Sequence, residues 1–188
     1  MPKLGAEPIR KAALINAAIQ EVGRAGSLDV TVAQIAKRAG MSPALAHHYF
    51  GSKEQIFLAA MRFILRNYGD SVREVLRGDD GRARLDGIVR ANFAPQNFQR
   101  ETVSAWLNFY ALALVNPNAG RLLRVYHRRL RSNLIFSLRG LTGQPERIAD
   151  TLGALIDGVY LRAVLTPGPT DADAALTIIQ TYLEEALA

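Results

Sequence analysis

Apolar residues recur along this chain every three to four positions, which is the period of an amphipathic helix. Near the N-terminus, Ile15, Ala18, Ile19 and Val22 fall on one face in this way. No segment alternates apolar and polar residues as a half-buried strand does. The pattern therefore predicts an all-α fold of nine helices, with a loop at the Gly-Asp-Asp-Gly run of residues 78–81. The predicted helices cover about residues 7–25, 31–39, 42–49, 52–77, 82–94, 99–115, 118–140, 145–165 and 171–187.

Capping residues define the second and third of these helices. Thr31 is a helix N-cap, and Gln34 three residues later completes a capping box. Gly40 suits the left-handed backbone that commonly follows a helix end. Ser42 then caps the third helix, and Pro43 occupies its first turn, where the missing amide hydrogen costs nothing.

Two short helices joined by a tight turn are typical of a helix-turn-helix, which inserts its second helix into the DNA major groove. Side chains on the outward face of that helix are expected to meet base edges. Long or polar side chains on and around it are expected to reach phosphates. Exposed amides at helix N-termini also favour phosphate oxygens. The expected base contacts are Pro43, Ala44, His47 and His48; the expected phosphate contacts are Lys37, Tyr49 and Lys53, with the amides that follow Thr31 and Ser42.

The adjacent histidines have an alternative interpretation as metal ligands. His47 and His48 point in different directions on a helix, and the sequence places no third ligand near them. DNA contact is therefore the preferred hypothesis, and we predict no metal and no cofactor.

Composition and charge agree with a DNA-binding protein without establishing one. The chain has 188 residues, no cysteine and a formal net charge of +6. Residues 1–145 carry a net charge of +11 and residues 146–188 a net charge of −5, so the basic excess lies away from the C-terminus. An arginine-rich composition also follows from a GC-rich genome. The absence of a secretory signal pattern or a run of about 18 apolar residues indicates a soluble cytoplasmic protein.

The helix-turn-helix segment resembles the signature of the tetracycline-repressor (TetR) family in order and spacing. The residues that carry the resemblance are Thr31, Ile35-Ala36, Ala39-Gly40, Ser42, Tyr49-Phe50 and Ser52-Lys53. The resemblance implies an all-α homodimer that binds double-stranded DNA. It implies a DNA-binding domain at residues 1–52 and a ligand-binding and dimerisation domain at residues 53–188, with the last two helices forming a four-helix dimer interface.

The last two predicted helices support a dimer from their own residues. The eighth helix is apolar on nearly every side, as expected for a helix covered from two directions. Small residues at Gly153, Ala154 and Gly158 permit close approach of a partner helix. The expected interface residues are Leu155, Val159, Arg162, Ile178 and Tyr182. The alternative is that both helices complete an ordinary monomer core.

The sixth predicted helix carries the densest aromatic cluster of the chain, and an acidic residue lies in the apolar eighth helix. Aromatic faces with one carboxylate hold quaternary ammonium groups by cation–π attraction and charge pairing. The expected ligand-binding residues are Phe93, Trp106, Phe109, Tyr110, Asp157 and Tyr160. In this interpretation Asp157 is an unpaired carboxylate. The alternative to a binding site is that these aromatic residues simply pack in the hydrophobic core.

A narrower resemblance points to the choline-responsive BetI subgroup of the family, the repressors of glycine betaine synthesis genes. It rests on Pro2–Gly5, Ile9-Arg10, Asn92-Phe93, Ala105–Leu107, Arg128–Leu130, Ser132–Leu134, Ala154–Gly158 and Leu161–Ala163. It implies a choline-like cation as effector. The recognition helix, Ala44–His48, departs from the subgroup, so the operator sequence does not follow from it.

Three rival functions remain at this point. A regulator of a multidrug efflux pump would also have an aromatic, acidic pocket. A helical enzyme is disfavoured, because the sequence contains no nucleophile–base pair, metal-ligand spacing or phosphate loop. A non-specific architectural protein would bind any duplex with a steep dependence on salt.

Overall fold

The computed structural model describes residues 6–78 and 80–188, which form nine α-helices and no strand. The predicted fold class is confirmed. The helices are α1 (Ala6–Ala25), α2 (Val32–Arg38), α3 (Pro43–Phe50), α4 (Lys53–Val75), α5 (Gly81–Asn92), α6 (Arg100–Val115), α7 (Pro117–Leu138), α8 (Pro145–Leu165) and α9 (Ala172–Leu187). The Pro2–Gly5 part of the subgroup resemblance and Asp79 of the predicted loop lie outside the described residues. No helix among the described residues is long and apolar enough to cross a lipid bilayer.

The predicted caps of α2 and α3 are confirmed. The Gln34 amide donates to Thr31 Oγ1 over 3.1 Å, and the Thr31 amide donates to Gln34 Oε1 over 2.7 Å. The Leu45 amide donates to the side chain of the N-cap Ser42 over 3.2 Å. Gly40, between the two helices, has φ +68°, a conformation that glycine adopts without a Cβ penalty.

Helix α5 ends at Asn92, two residues before the predicted end. Pro95 disfavours helical backbone in the residue before it, so the chain leaves the helix early. Ala94 instead accepts backbone hydrogen bonds from Asn97 and Phe98, which form a turn leading to α6.

Helices α1, α2 and α3 form an N-terminal head, and α4 leads from this head into a body built from α5–α9. Within the head, Leu14 and Val22 of α1 pack in one core with Ile35 of α2 and Ala46 of α3, all fully buried. In the body, α7 packs against α5, α6 and α8, while α9 lies against α8. The longest helix, α4, contacts both parts.

Head and body meet where the end of α1 packs on the start of α6. A Cβ on Gly23 of α1 would lie 2.2 Å from the carbonyl oxygen and 2.6 Å from the Cα of Glu101 in α6. Both are backbone atoms, which cannot rotate away as a side chain can. The absence of a side chain at Gly23 therefore permits this contact between head and body.

Gly23→Ala is expected to destabilise the protein by about 1–3 kcal/mol, because the two helices must separate to admit the methyl group. In a protein of this size each kcal/mol lowers Tm by roughly 2–4 °C, measurable by thermal unfolding followed by circular dichroism. Gly69→Ala in α4 is the matched control, since nothing lies within 4 Å of its added Cβ. That control should be neutral or stabilising by up to about 1 kcal/mol. A Gly23→Ala protein that melts no lower than wild type would contradict the close contact.

Candidate DNA-binding and ligand-binding sites

One face of α3 is exposed to solvent. Pro43, Ala44, His47 and His48 are exposed, while Ala46 between them is fully buried and anchors the helix. His47 Nδ1 lies 3.3 Å from the carbonyl oxygen of Gly51, at the end of the helix. The residues expected to meet base edges therefore share an open surface.

The residues expected to reach phosphates surround this face. Lys37 is exposed on α2, and the partly buried Tyr49 accepts a hydrogen bond from Arg10 Nη1 over 3.3 Å. Lys53 Nζ lies 3.4 Å from the carbonyl oxygen of Leu28 and 5.7 Å from the ring centroid of Phe57. Sequence analysis did not identify Arg10 as part of this surface. Arg10 and Tyr49 are 39 positions apart, so only the packing of α1 against α3 brings them together.

A buried acidic residue fixes α2 against α1. Glu21 of α1 is only 5% exposed and pairs with Arg38 of α2 and, over 3.1 Å, with Arg24. The hydrogen bond from Arg38 lowers the pKa of the Glu21 carboxyl below its usual value, against the opposing effect of burial. The pair holds the first helix of the helix-turn-helix at a set position on the head. Sequence analysis did not single out this pair.

Aromatic and polar side chains from α4–α8 and the turn after α5 line a small cavity in the body. It is lined by Ile64, Leu65, Tyr68, Asn92, Asn97, Thr102, Trp106, Tyr126, Ile156, Asp157 and Tyr160. Of the predicted ligand residues, Trp106, Asp157 and Tyr160 meet here. The cavity volume is about 20 Å³, which is room for about one water molecule.

Trp106 is the centre of the aromatic wall. Its ring is 5.2 Å from that of Tyr126 at 79°, and 5.3 Å from that of Tyr110 at 66°. Tyr68 extends the wall, with its ring 5.7 Å from that of Tyr126. These are the edge-to-face arrangements that aromatic quadrupoles favour. Tyr68 and Tyr126 were not predicted, since neither has another Phe, Tyr or Trp within four positions along its helix.

Three predicted ligand residues, Phe93, Phe109 and Tyr110, are not among the side chains that line the cavity. Phe109 is fully buried in the core, as expected from the alternative in which the aromatic residues serve core packing. Phe93 packs edge-on against Phe98 at 5.0 Å, and Phe98 in turn contacts Tyr160 at 5.2 Å. Phe93 and Phe98 thus form a second aromatic cluster that packs against the Tyr160 ring. The cluster forms because the loop between α5 and α6 folds back over α8.

The prediction of an unpaired carboxylate at Asp157 was wrong. Tyr110 donates a hydrogen bond to Asp157 Oδ1 over 2.7 Å, and His127 Nε2 lies 3.7 Å from Asp157 Oδ2. Burial raises the pKa of the Asp157 carboxyl, and the hydrogen bond from Tyr110 opposes this shift. The partners come from α6 and α7, so only the assembled body brings them to α8.

Amide side chains complete the polar part of the cavity wall. Asn92 donates from Nδ2 to the Tyr68 hydroxyl over 3.2 Å and to the Ile88 carbonyl over 2.9 Å. The Tyr160 hydroxyl donates to the Asn92 carbonyl, and Asn97 donates to the Ala91 carbonyl over 2.7 Å. Asn92 belongs to a sequence pair that carried the subgroup resemblance, but its place in the wall was not predicted.

A larger cleft of about 510 Å³ lies between the head and the body, beside their contact, and borders the cavity. Ile64, Asn97 and Thr102 line both spaces. The cleft also reaches Arg24 and Arg38 of the head. The cavity wall and the helix-turn-helix are therefore separated by few side chains.

The far side of α8 and α9 exposes an apolar surface. Leu161, Leu165 and Ile178 are 48%, 72% and 46% exposed, and the small residues Ala154 and Gly158 lie on the same open side. Among the predicted interface residues, Arg162 is also exposed, while Leu155 and Tyr182 are partly buried. Val159 is only 8% exposed and packs mainly inside its own chain.

Metal ligands do not cluster in the part of the chain that the structure describes. No three of its His, Cys, Asp or Glu side chains lie together in an arrangement that could hold an ion.

The two parts of the chain match two families. Residues 14–60 match the family described as bacterial regulatory proteins, tetR family. Residues 81–188 match the one described as BetI-type transcriptional repressor, C-terminal.

Curated relatives match over nearly the whole chain. HTH-type transcriptional regulator BetI of Brucella anthropi is 47% identical over 186 residues, which cover 97% of this chain and 96% of the relative. The protein of the same name from Rhizobium meliloti is 44% identical, covering 97% and 92% of the two chains. These relatives are transcriptional regulators and not enzymes.

Solved structures share the fold. A TetR transcription regulator from Haloarcula marismortui superposes with a TM-score of 0.82 at 24% identity, over 95% of this chain and 97% of that one. A transcriptional regulator from Saccharomonospora viridis, solved in complex with choline, has a TM-score of 0.80 at 25% identity, covering 93% and 95%. The helix-turn-helix head, the helical body and these matches together show that the chain belongs to the TetR family and is a BetI-type transcriptional repressor.

Proposed function

We propose that this chain represses genes of choline or glycine betaine metabolism by binding a palindromic operator as a homodimer, and that choline or a similar quaternary ammonium compound releases it. The observation that carries this proposal is the cavity in which Trp106, Tyr126 and Tyr160 surround a space beside Asp157. The names of the relatives and the choline complex of one structural neighbour support it.

The side chains that line the cavity are of the kinds that bind a quaternary ammonium group. Such a cation has no N–H to donate, so proteins bind it through aromatic faces and a nearby negative charge. Trp106 and Tyr126 supply aromatic rings to the lining, and Asp157 supplies the carboxylate. Burial raises the pKa of the Asp157 carboxyl by disfavouring its charged form, and a bound cation would compensate that cost.

At the DNA, α3 enters the major groove in this proposal. Ala44, His47 and His48 read base edges, and Pro43 starts the helix at the groove. The residues assigned to phosphates are Lys37, Tyr49 and Lys53, with the amides that follow Thr31 and Ser42. Arg10 supports Tyr49 through the hydrogen bond to its hydroxyl.

The proposal divides the chain at the start of α4, so that residues 1–52 read DNA and residues 53–188 bind the ligand and dimerise. The exposed apolar surface of α8 and α9 is assigned to the partner subunit, with Leu155, Arg162, Ile178 and Tyr182 in or beside the interface and Val159 behind it. A two-fold dimer presents two α3 helices to successive major grooves, which a palindromic operator requires.

Release of DNA follows from the size of the cavity. A trimethylammonium group is several times larger than the single water that 20 Å³ admits, so the walls must separate to bind it. Ile64, Leu65 and Tyr68 of α4 form one wall, and α4 begins at Lys53 beside α3. Outward movement of this wall would shift α4 and change the spacing of the two reading heads.

Choline is expected to weaken operator binding by about 5- to 150-fold, the range of typical allosteric coupling. The measurement is fluorescence anisotropy with a labelled operator selected from random duplexes by the ligand-free protein. Trp106→Ala should remove the response while leaving operator affinity in the absence of choline unchanged.

Anisotropy that stays flat across millimolar choline would overturn the effector assignment but not the repressor. A response to a large planar cation, in place of choline, would favour the regulator of a multidrug efflux pump. Binding that is equally tight to operator and competitor DNA would instead indicate an architectural protein.

A further inference from the structure

Asp157 lies between two spaces. On one side is the aromatic cavity, and on the other is an open groove of about 260 Å³ between α7 and α8. His127 of α7 lines the groove, with its side chain 45% exposed. The carboxylate assigned to the cation therefore has a titratable neighbour on its solvent side.

The hydrogen bonds around Asp157 define the state of His127 Nε2. Because the Tyr110 hydroxyl gives its proton to Asp157, its oxygen can only accept from His127, whose Nε2 lies 3.4 Å away. The other oxygen near Nε2, Asp157 Oδ2, is also an acceptor, at 3.7 Å. When Asp157 is ionised, Nε2 therefore carries a hydrogen, and a further proton on Nδ1 places a positive charge beside the carboxylate.

We infer that protonated His127 acts as an internal cation that competes with a quaternary ammonium ligand for Asp157, so that effector affinity rises with pH. This inference rests on the proposed function. It makes His127 a residue that sets the affinity of the site without itself lining the aromatic cavity. Histidine gains a positive charge when it takes up a second ring proton, so an experiment that varies pH tests the competition.

The other groups that face this pair hold their charge state in weakly acidic and neutral solution. Tyr110 of α6 and Tyr126 of α7 stay neutral, since burial raises the pKa of both hydroxyls. Along the groove, Arg131 of α7 is paired with Asp150 of α8 over 2.6 Å. Asp157 itself has a raised pKa, so its own protonation would also weaken cation binding at low pH. Variants of His127 are therefore needed to separate protonation of the histidine from protonation of the carboxylate.

The test is calorimetric titration of choline at pH 5.5, 6.5, 7.5 and 8.0. If only the form with neutral His127 binds the cation fully, the apparent Kd equals the intrinsic Kd divided by the fraction of protein in that form, so it rises as pH falls. Wild type is therefore expected to bind choline progressively more weakly from pH 8.0 to pH 5.5. His127→Gln should bind at pH 5.5 more tightly than wild type, with a shallower dependence on pH. His127→Lys keeps a charge at every pH and should bind weakly throughout.

Arg131→Gln is the matched control, because it removes a positive charge one turn along the same face of α7 and lines the same groove. It should keep the pH dependence of wild type. A His127→Gln protein with the same pH dependence as wild type would overturn the inference and leave choline as the effector. Failure of wild type to bind choline at every pH would overturn the proposed effector, and this inference with it.

Discussion

Asp157→Asn is expected to weaken choline binding by roughly 30- to 150-fold, a loss of about 2–3 kcal/mol. A full charge pair near 4 Å is worth about 4 kcal/mol at the effective dielectric of a protein surface, and partial exposure of the Asp157 side chain, 36%, screens part of it. Asparagine keeps the size of the residue and an oxygen that can accept from Tyr110. The change therefore removes the charge and little else, and calorimetry at pH 8.0 measures its effect.

The folded state should not suffer from this substitution. The raised pKa of Asp157 means that protonation is more favourable in the folded than in the unfolded chain, so its stabilising contribution is present at low pH and is lost as pH rises through the folded-state pKa. At neutral pH the ionised carboxylate costs folding free energy, and Asp157→Asn should unfold at the wild-type temperature or above it. Weak binding with an unchanged or higher Tm is the signature of a lost cation partner.

Asp150→Asn supplies the matched comparison. Asp150 is seven positions earlier on the same helix and also lines the α7–α8 groove, but it pairs with Arg131 and not with the cavity. Choline affinity should be unchanged in this variant. If Asp150→Asn and Asp157→Asn weaken binding equally, a general negative field and not a specific carboxylate attracts the cation.

Leu161→Glu is expected to yield a folded monomer that binds the operator at least about a hundredfold more weakly than wild type. Leu161 is 48% exposed in the single chain, so glutamate can remain in water and the fold should persist. In a two-fold interface each subunit would bury one such charge, which is strongly unfavourable. In the dimer, binding of one head to its half-site brings the second head close to the other half-site. A monomer loses this effect, so its overall affinity for the operator falls.

Sedimentation equilibrium measures the oligomeric state, and anisotropy measures the affinity for the selected operator. Leu114→Glu is the control, because Leu114 is 87% exposed on α6 and acquires the same charge outside the proposed interface. It should remain dimeric. A Leu161→Glu protein that stays dimeric would show that the exposed surface of α8 is not the interface.

The helices and the helix-turn-helix could be predicted because their signals are local. Thr31, Gln34 and Ser42 form their capping hydrogen bonds with residues three positions away, as their spacing requires. The predicted helix ends were less accurate than the predicted helices where two local signals compete. The sequence pattern extends α5 to residue 94, whereas Pro95 draws the backbone out of the helix at Asn92.

The binding cavity was predictable only in part. Trp106 and Tyr110 are four residues apart on one helix, so their contact follows from helical geometry. Tyr110 and Asp157 are 47 positions apart, and Asp157 looked unpaired because no local rule joins α6 to α8. Phe109 stands beside Trp106 in sequence but faces the core, since a step of three residues also turns about 60° around the helix axis.

The sequence by itself determined that this protein is all-helical and carries a DNA-reading head, because caps and apolar spacing act over one or two helical turns. Tertiary structure alone decided which side chains meet across helices. Tyr68 and Tyr126 complete the wall, His127 approaches Asp157, and the cavity closes to the size of one water. Those contacts arise from long-range packing of α4, α6, α7 and α8, in which shape and not periodicity selects the neighbours.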